Sequence, residues 1–187
     1  RHMEKKEIIV ETSSGLIKLF CENNGQVRVD MGVPQLEPSE IPMRVDERAG
    51  KYPIGLNGKD VTLSAVSMGN PHAVLEVDDI EQAAVQTLGP EVQQSPLFPE
   101  QVNVGFMQIV DRGHILLRVY ERGAGETLAC GSGACAAVVA GYLDGKLDKQ
   151  VDVGLKGGHL SISWQGEGEP VWMTGPAAFV YEGRIEI

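Results

Sequence analysis

The sequence predicts an α+β fold, a mostly antiparallel sheet wrapped around one buried helix. Two observations point there. Short apolar segments rich in β-branched residues recur between turn signals along the chain, which is how strands of an antiparallel sheet read. The second is the stretch from Cys130 to Leu143, where apolar or small residues face every direction of a helix. A surface helix shows a polar face, so this one is expected to be enclosed by strands.

In chain order, strands are predicted near Ile8–Thr12, Leu16–Cys21 and Gln26–Met31, with a turn at Asn23-Asn24-Gly25. Pro38, Pro42 and Pro53 fall in the mixed-charge stretch Gln35–Pro53, which reads as an excursion between elements. Strands follow near Val61–Ser67 and Ala73–Val77, the first after a turn at Asn57-Gly58. Asp79, with Gln82 three residues on, makes a capping signature for an amphipathic helix that Gly89-Pro90 should stop. Further strands are expected near Val102–Val110, His114–Glu121, Val151–Leu155, His159–Trp164 and Val171–Ala178. Asp144-Gly145 ends the apolar helix, and Lys156-Gly157-Gly158 and Gly166-Glu167-Gly168 are turns.

Composition excludes several classes of function. The 187 residues carry 16 Lys and Arg against 26 Asp and Glu, a formal charge of −10, with no basic cluster to release counterions from a nucleic acid. No apolar run approaches the roughly 18 to 20 residues that span a bilayer, so no membrane partner is expected. Three cysteines, Cys21, Cys130 and Cys135, form no disulfide framework and no structural zinc pattern. A reduced, cytoplasmic setting is therefore expected, with no metal. Arg1-His2-Met3 reads as a cloning remnant or a cut point.

The densest chemical signal is Tyr120-Glu-Arg-Gly-Ala-Gly-Glu-Thr-Leu-Ala-Cys130-Gly-Ser-Gly-Ala-Cys135. It sets a strand end, a glycine-rich turn and a cysteine just ahead of a helix. Free N–H groups at a helix start attract an anion, so this place can hold a ligand carboxylate or phosphate and favour a Cys130 thiolate. On that basis the Cys130 pKa should fall below about 8.5, and iodoacetamide should reach it before Cys21 or Cys135. A small buried hydrophobe is the equal alternative for Cys130, and packing is the better reading for Cys135 and Cys21. The match of residues 131–136 to a dinucleotide glycine pattern lacks the tight strand-to-helix turn, no Lys makes a phosphate loop, and Ser132 lacks a nucleophile elbow.

A second cluster is Ser67-Met-Gly-Asn70-Pro-His72. The Asn-Pro bond extends the backbone and leaves the Asn70 amide available to a ligand, while His72 is either a proton carrier or a satisfied structural residue. Asn103 is either a turn former or an amide contact, and Glu121-Arg122 is by default a solvated pair.

Taken together, Met68–His72, Asn103–Phe106, Arg118–Thr127 and Ala129–Cys135 resemble the diaminopimelate epimerase family, and the likeness continues through Met173–Pro176 and Val180–Gly183. The resemblance implies a cofactor-independent epimerase that interconverts LL- and meso-diaminopimelate for lysine and peptidoglycan synthesis. It also implies two similar domains, each a barrel-like sheet around a central helix, with one cysteine from each domain on opposite sides of the substrate Cα. By that likeness Cys130 is the proton acceptor, and His72 and Glu121 tune or relay charge. Gly131 and Ser132 bind the substrate carboxylate through backbone amides, and Asn70, Asn103, Glu121 and Arg122 bind its remaining amino and carboxyl groups. A homodimer with Tyr181 near the contact is a further implication for the intact enzyme.

One departure stands out. The family's other catalytic cysteine lies in an Asn-Gly-x-Gly-x-Arg-Cys stretch that this sequence lacks, and the surroundings of Cys21 do not match it. The chain is thus expected to hold a first-domain remnant at residues 4–30, the second domain at 31–174 and a segment returning to the first domain at 175–187. Such a piece should fold and bind without turning over. The competing expectations are another isomerase of the same superfold, proline racemase-like or phenazine-biosynthesis-like, and a non-catalytic binding module.

Overall fold

The protein is described by a computed structural model that covers residues 6–12, 15–56 and 59–185. The first three residues and the Asn57-Gly58 turn lie outside the described residues. The strands are β1 (Glu7–Thr12), β2 (Gly15–Cys21), β3 (Gln26–Asp30), β4 (Tyr52–Leu56), β5 (Lys59–Ser67), β6 (Pro71–Glu76), β7 (Asn103–Asp111), β8 (His114–Glu121), β9 (Gly125–Thr127), β10 (Gln150–Leu155), β11 (Gly158–Ser163) and β12 (Trp172–Pro176). The helices are α1 (Val85–Gln93) and α2 (Gly131–Leu143).

One mixed sheet runs in the order β1-β2-β3-β12-β11-β10-β8-β7-β6-β5-β4, with β9 beside β8. The pairs β6·β7 and β8·β10 are parallel and the others antiparallel. Among the described residues the hydrogen bonding follows an open path rather than a ring. Helix α2 nevertheless meets β5, β6, β7, β8, β11 and β12, and residues 133–141 are all buried. That enclosure is what its lack of a polar face demanded.

The strands around α2 are covered on both faces. Val66, Val74, Met107, Leu117 and Val119 point into the cluster around α2. Their neighbours Ala65, Ala73, Leu75, Val104 and Phe106 point the other way, into a cluster with Ile41, Val85, Val92 and Phe98. Burial on both faces explains why residues 73–75 of β6 and 104–107 of β7 carry no polar side chain instead of an alternating pattern. The expected excursion around residues 35–53 supplies the outer cover: Gln35 bridges to Ser67, and Ile41 and Met43 enter the second cluster.

Three elements differ from expectation. The Asp79 carboxylate accepts the Glu81 N–H at 2.9 Å and the Gln82 amide at 2.6 Å, as its capping pattern suggests, but this closes only a turn. The helix begins later, at Val85, and runs through Gly89 and Pro90. Gly89 is there for close approach, since a Cβ would lie 2.7 Å from Tyr120 Cγ, and burial of Val85 and Val92 outweighs the one backbone bond Pro90 forfeits. Strands β4 and β9 were not anticipated. Both are short and take their conformation from pairing with a longer neighbour, so local pattern carries little of their signal.

Candidate active site

One end of the sheet gathers the chemistry. Strands β6 and β7 run parallel, with His72 opposite Asn103, so both start at this end. Strand β8 runs antiparallel to β7, with Val104 opposite Tyr120, which brings Glu121 at its finish alongside. The hairpin to β9 then leads back to Cys130, the residue immediately before α2.

Around Cys130 the side chains form a continuous line. The thiol donates to Glu121 Oε2 at 3.0 Å, and Glu121 Oε1 accepts the Thr127 hydroxyl at 2.5 Å. On the other side the sulfur lies 3.7 Å from Ser132 Oγ, which is 3.0 Å from His72 Nε2. His72 Nε2 also lies 3.1 Å from Asn70 Oδ1. The first N–H groups of α2 have no intrahelical acceptor, and the Gly133 amide points at the sulfur. Gly133 leaves room there, since a Cβ would sit 3.3 Å from Cys130 Sγ and 3.2 Å from Val119 and press the thiol by a few tenths of an ångström.

The electrostatics correct one expectation. The Cys130 pKa is not depressed but pushed up to about 11, first by burial and then by the hydrogen bond to the Glu121 carboxylate. The Gly133 amide and Ser132 act in the favourable direction but are outweighed. A helix start lowers a thiol's pKa where solvent or a cation assists, whereas here the side chain is 6% exposed beside an anion. The alkylation order expected from sequence therefore loses its basis at Cys130, while Cys135, wholly enclosed in α2, is raised further by burial. Cys21 is half-buried on β2, separated from β8 in the sheet by β3, β12, β11 and β10.

Burial, and then the Arg122 charge, lower the His72 pKa to about 4, so the ring is neutral near pH 7. Its folded value lies below the 6.5 of a free imidazole. The stability it contributes is therefore full above pH 6.5 and is lost as pH falls through about 4, on the order of 3 kcal/mol. Urea unfolding between pH 7 and 4 should show that decline, and His72→Asn should flatten it.

The other expected site residues divide. Asn70 joins the line through His72. Asn103 is buried and engaged by the protein itself: its amide donates to the Pro71 carbonyl at 3.1 Å and its oxygen accepts the Arg122 N–H at 2.9 Å. It thus ties the Asn70–His72 loop to the Glu121-Arg122 turn. The exposed Arg122 guanidinium donates to the Glu100 carbonyl at 3.0 Å. Tyr181 is 79% exposed and distant in sequence from these elements. The described residues contain no cluster of His, Cys, Asp and Glu suited to a metal, and no helix among them is long and apolar enough to cross a membrane.

Sequence inspection missed two parts of this arrangement. Ser132 contributes its hydroxyl as the link between His72 and the thiol, in addition to any role of its backbone. Thr127 was passed over because a Thr near a glycine turn carries no signal of its own. The β8–β9 register reveals it, because Thr127 lies opposite Val119, two residues before Glu121 and so on the same face of the hairpin.

Comparison with known proteins agrees with the resemblance. The family model described as diaminopimelate epimerase matches residues 64–180. Curated relatives with that name include those of Nitrosomonas eutropha, 57% identical, and Pseudomonas syringae pv. tomato, 55% identical, each aligned over 98% of this chain. The chain spans 66% of the length of these relatives. Among solved structures, a hydroxyproline epimerase from Agrobacterium vitis superposes with a TM-score of 0.66 at 17% identity, over 97% of this chain and 60% of that one. A phenazine biosynthesis protein of the PhzF family from Bacillus anthracis gives a TM-score of 0.63 at 15% identity, over 99% and 70%. These distant likenesses concern the fold.

Proposed function

The chain belongs to the diaminopimelate epimerase family, and from that premise we propose that it carries one thiol half of a cofactor-independent site that epimerises LL- and meso-diaminopimelate in the cytoplasm. The observation that carries this reading is the line His72–Ser132–Cys130–Glu121 at the start of α2. An amino-acid α-proton is very weakly acidic, so its removal needs a desolvated base and donors aimed at the carboxylate where charge develops. The Gly131 and Ser132 amides supply such donors.

In the forward step the Cys130 proton passes to Glu121, leaving a thiolate and a carboxylic acid. The thiolate then takes the α-proton, and the electron pair of the broken C–H bond stays on the substrate, delocalised toward its carboxylate. His72, neutral and held through Ser132, steadies the charge at the sulfur. Asn70, Asn103 and Arg122 set the loops around the substrate's distal amino and carboxyl groups. Residues 31–174 form the domain that owns this half, and residues 4–30 and 175–187 belong with the domain that owns the other. Tyr181, on the exposed final segment, is assigned to a homodimer contact.

Inversion requires a proton removed on one face and one delivered on the other. Cys135 lies inside the core and Cys21 on a remote strand, so among the described residues Cys130 is the thiol at this site. The purified chain given LL-diaminopimelate in heavy water should show at most slow deuterium incorporation at Cα and no measurable meso product. Joining it to the preceding segment of a relative should restore conversion. Rapid epimerisation by the chain alone would sink the one-thiol assignment, and saturable binding without any exchange in the joined protein would favour a binding module.

A further inference from the structure

Resting on that reading of the site, we propose that Thr127 is a positioning residue whose hydroxyl clamps the Glu121 carboxylate so that its second oxygen faces the Cys130 thiol. The two contacts use opposite oxygens of one carboxylate, Oε1 for Thr127 at 2.5 Å and Oε2 for Cys130 at 3.0 Å. Glu121 is the last residue of β8 and lies opposite Gly125 of β9, which has no side chain to hold the carboxylate from across the hairpin. A carboxylate free to rotate would swing to water. The thiol would then lose its acceptor.

The clamp is itself anchored. Thr127 sits on β9, a strand of three residues that among the described residues pairs only along β8. Glu126, beside Thr127, is gripped by Arg118 of β8 at 2.7 and 3.1 Å. It also accepts from Lys156 at 2.7 Å and Gln86 at 2.6 Å, and this acid and Arg118 are mostly buried. The Arg118 fork holds the Glu126 carboxyl at about pKa 2, so the anchor stays charged throughout the working range. A strand this short needs such a grip to hold register.

The test reads the thiol rather than the reaction. The groups facing the sulfur are Glu121 of β8, Ser132 and Cys135 of α2 and, through Ser132, His72 of β6 with the Arg122 charge near it. Iodoacetamide alkylation of Cys130 in the full chain, followed by peptide mapping from pH 7 to 10, reports the thiolate fraction. Thr127→Val should accelerate labelling about three- to tenfold at each pH below the midpoint, as Glu121 releases the thiol. Thr127→Ser should keep the original profile, and in a Glu121→Gln background Thr127→Val should add less than about twofold.

Acceleration of equal size in both backgrounds, or none in the chain that retains Glu121, overturns the clamp. If Thr127→Val does not fold, hydroxyl exchange decides, because the Ala129 carbonyl at 3.5 Å is the other acceptor within reach of Thr127: a Thr127 hydroxyl proton protected from exchange by NMR and exposed in Glu121→Gln supports the clamp, and one unprotected, or protected equally in both, refutes it. None of these readouts needs substrate. A positive pattern beside a joined protein that never exchanges an α-proton would keep the clamp and discard the epimerase reading, while the opposite pair of results would do the reverse.

Discussion

Replacement of Cys130 by Ala is expected to lower α-proton exchange by at least 10²- to 10⁴-fold, roughly the range a positioned acid or base contributes. The joined protein described above is the form in which to measure it, by deuterium incorporation and by meso product. Cys130→Ser should fare little better, because a hydroxyl is a far weaker acid than a thiol and Glu121 cannot take its proton. The control is Cys135→Ala, which removes one buried sulfur from the core side of α2 and should leave exchange within a few-fold while lowering the melting temperature. If Cys135→Ala silenced exchange and Cys130→Ala did not, the two cysteines would have to trade roles.

The second large effect is on folding. Ala137→Asp should leave the chain largely unfolded or insoluble, because Ala137 is 0% exposed in the middle of α2, with the sheet around it. A carboxylate there would have no partner, and the cost of several kcal/mol rivals the whole stability of a domain. The same exchange at the exposed Ala84, the N-cap position of α1, should leave the chain folded and raise the melting temperature slightly, because a carboxylate there can accept the free amides of the first turn. Circular dichroism and soluble yield distinguish the two. A well-folded Ala137→Asp variant would mean that α2 has a solvated face the structure does not show.

How much was legible in advance follows from where each signal is stored. The strand at His114–Glu121 was bounded correctly, because its buried and exposed positions alternate within the strand itself. The enclosed helix was equally plain, since nine successive buried residues leave no polar face to read otherwise. For α1 the local signs misled: Asp79 does cap a turn, yet the helix begins six residues on and passes through Gly89-Pro90. Its limits depend on Tyr120 and on a core contributed by other strands.

The site divides the same way. Residue type and order placed a thiol, Cys130, ahead of a helix and left His72 open between two roles, while Glu121 stood out only through the family resemblance, because a carboxylate at a strand end carries no signal of its own. The proton affinity of that thiol was not legible. A helix start favours a thiolate, and only the folded chain reveals that burial and the Glu121 carboxylate oppose it more strongly. Thr127 and the Ser132 hydroxyl entered the site the same way, through a hairpin and a parallel strand pair that bring distant residues within hydrogen-bond reach. Local pattern determined which groups this protein carries and on which elements. Tertiary packing decided their charge states and partners, because desolvation and hydrogen bonding depend on neighbours that lie far away along the chain.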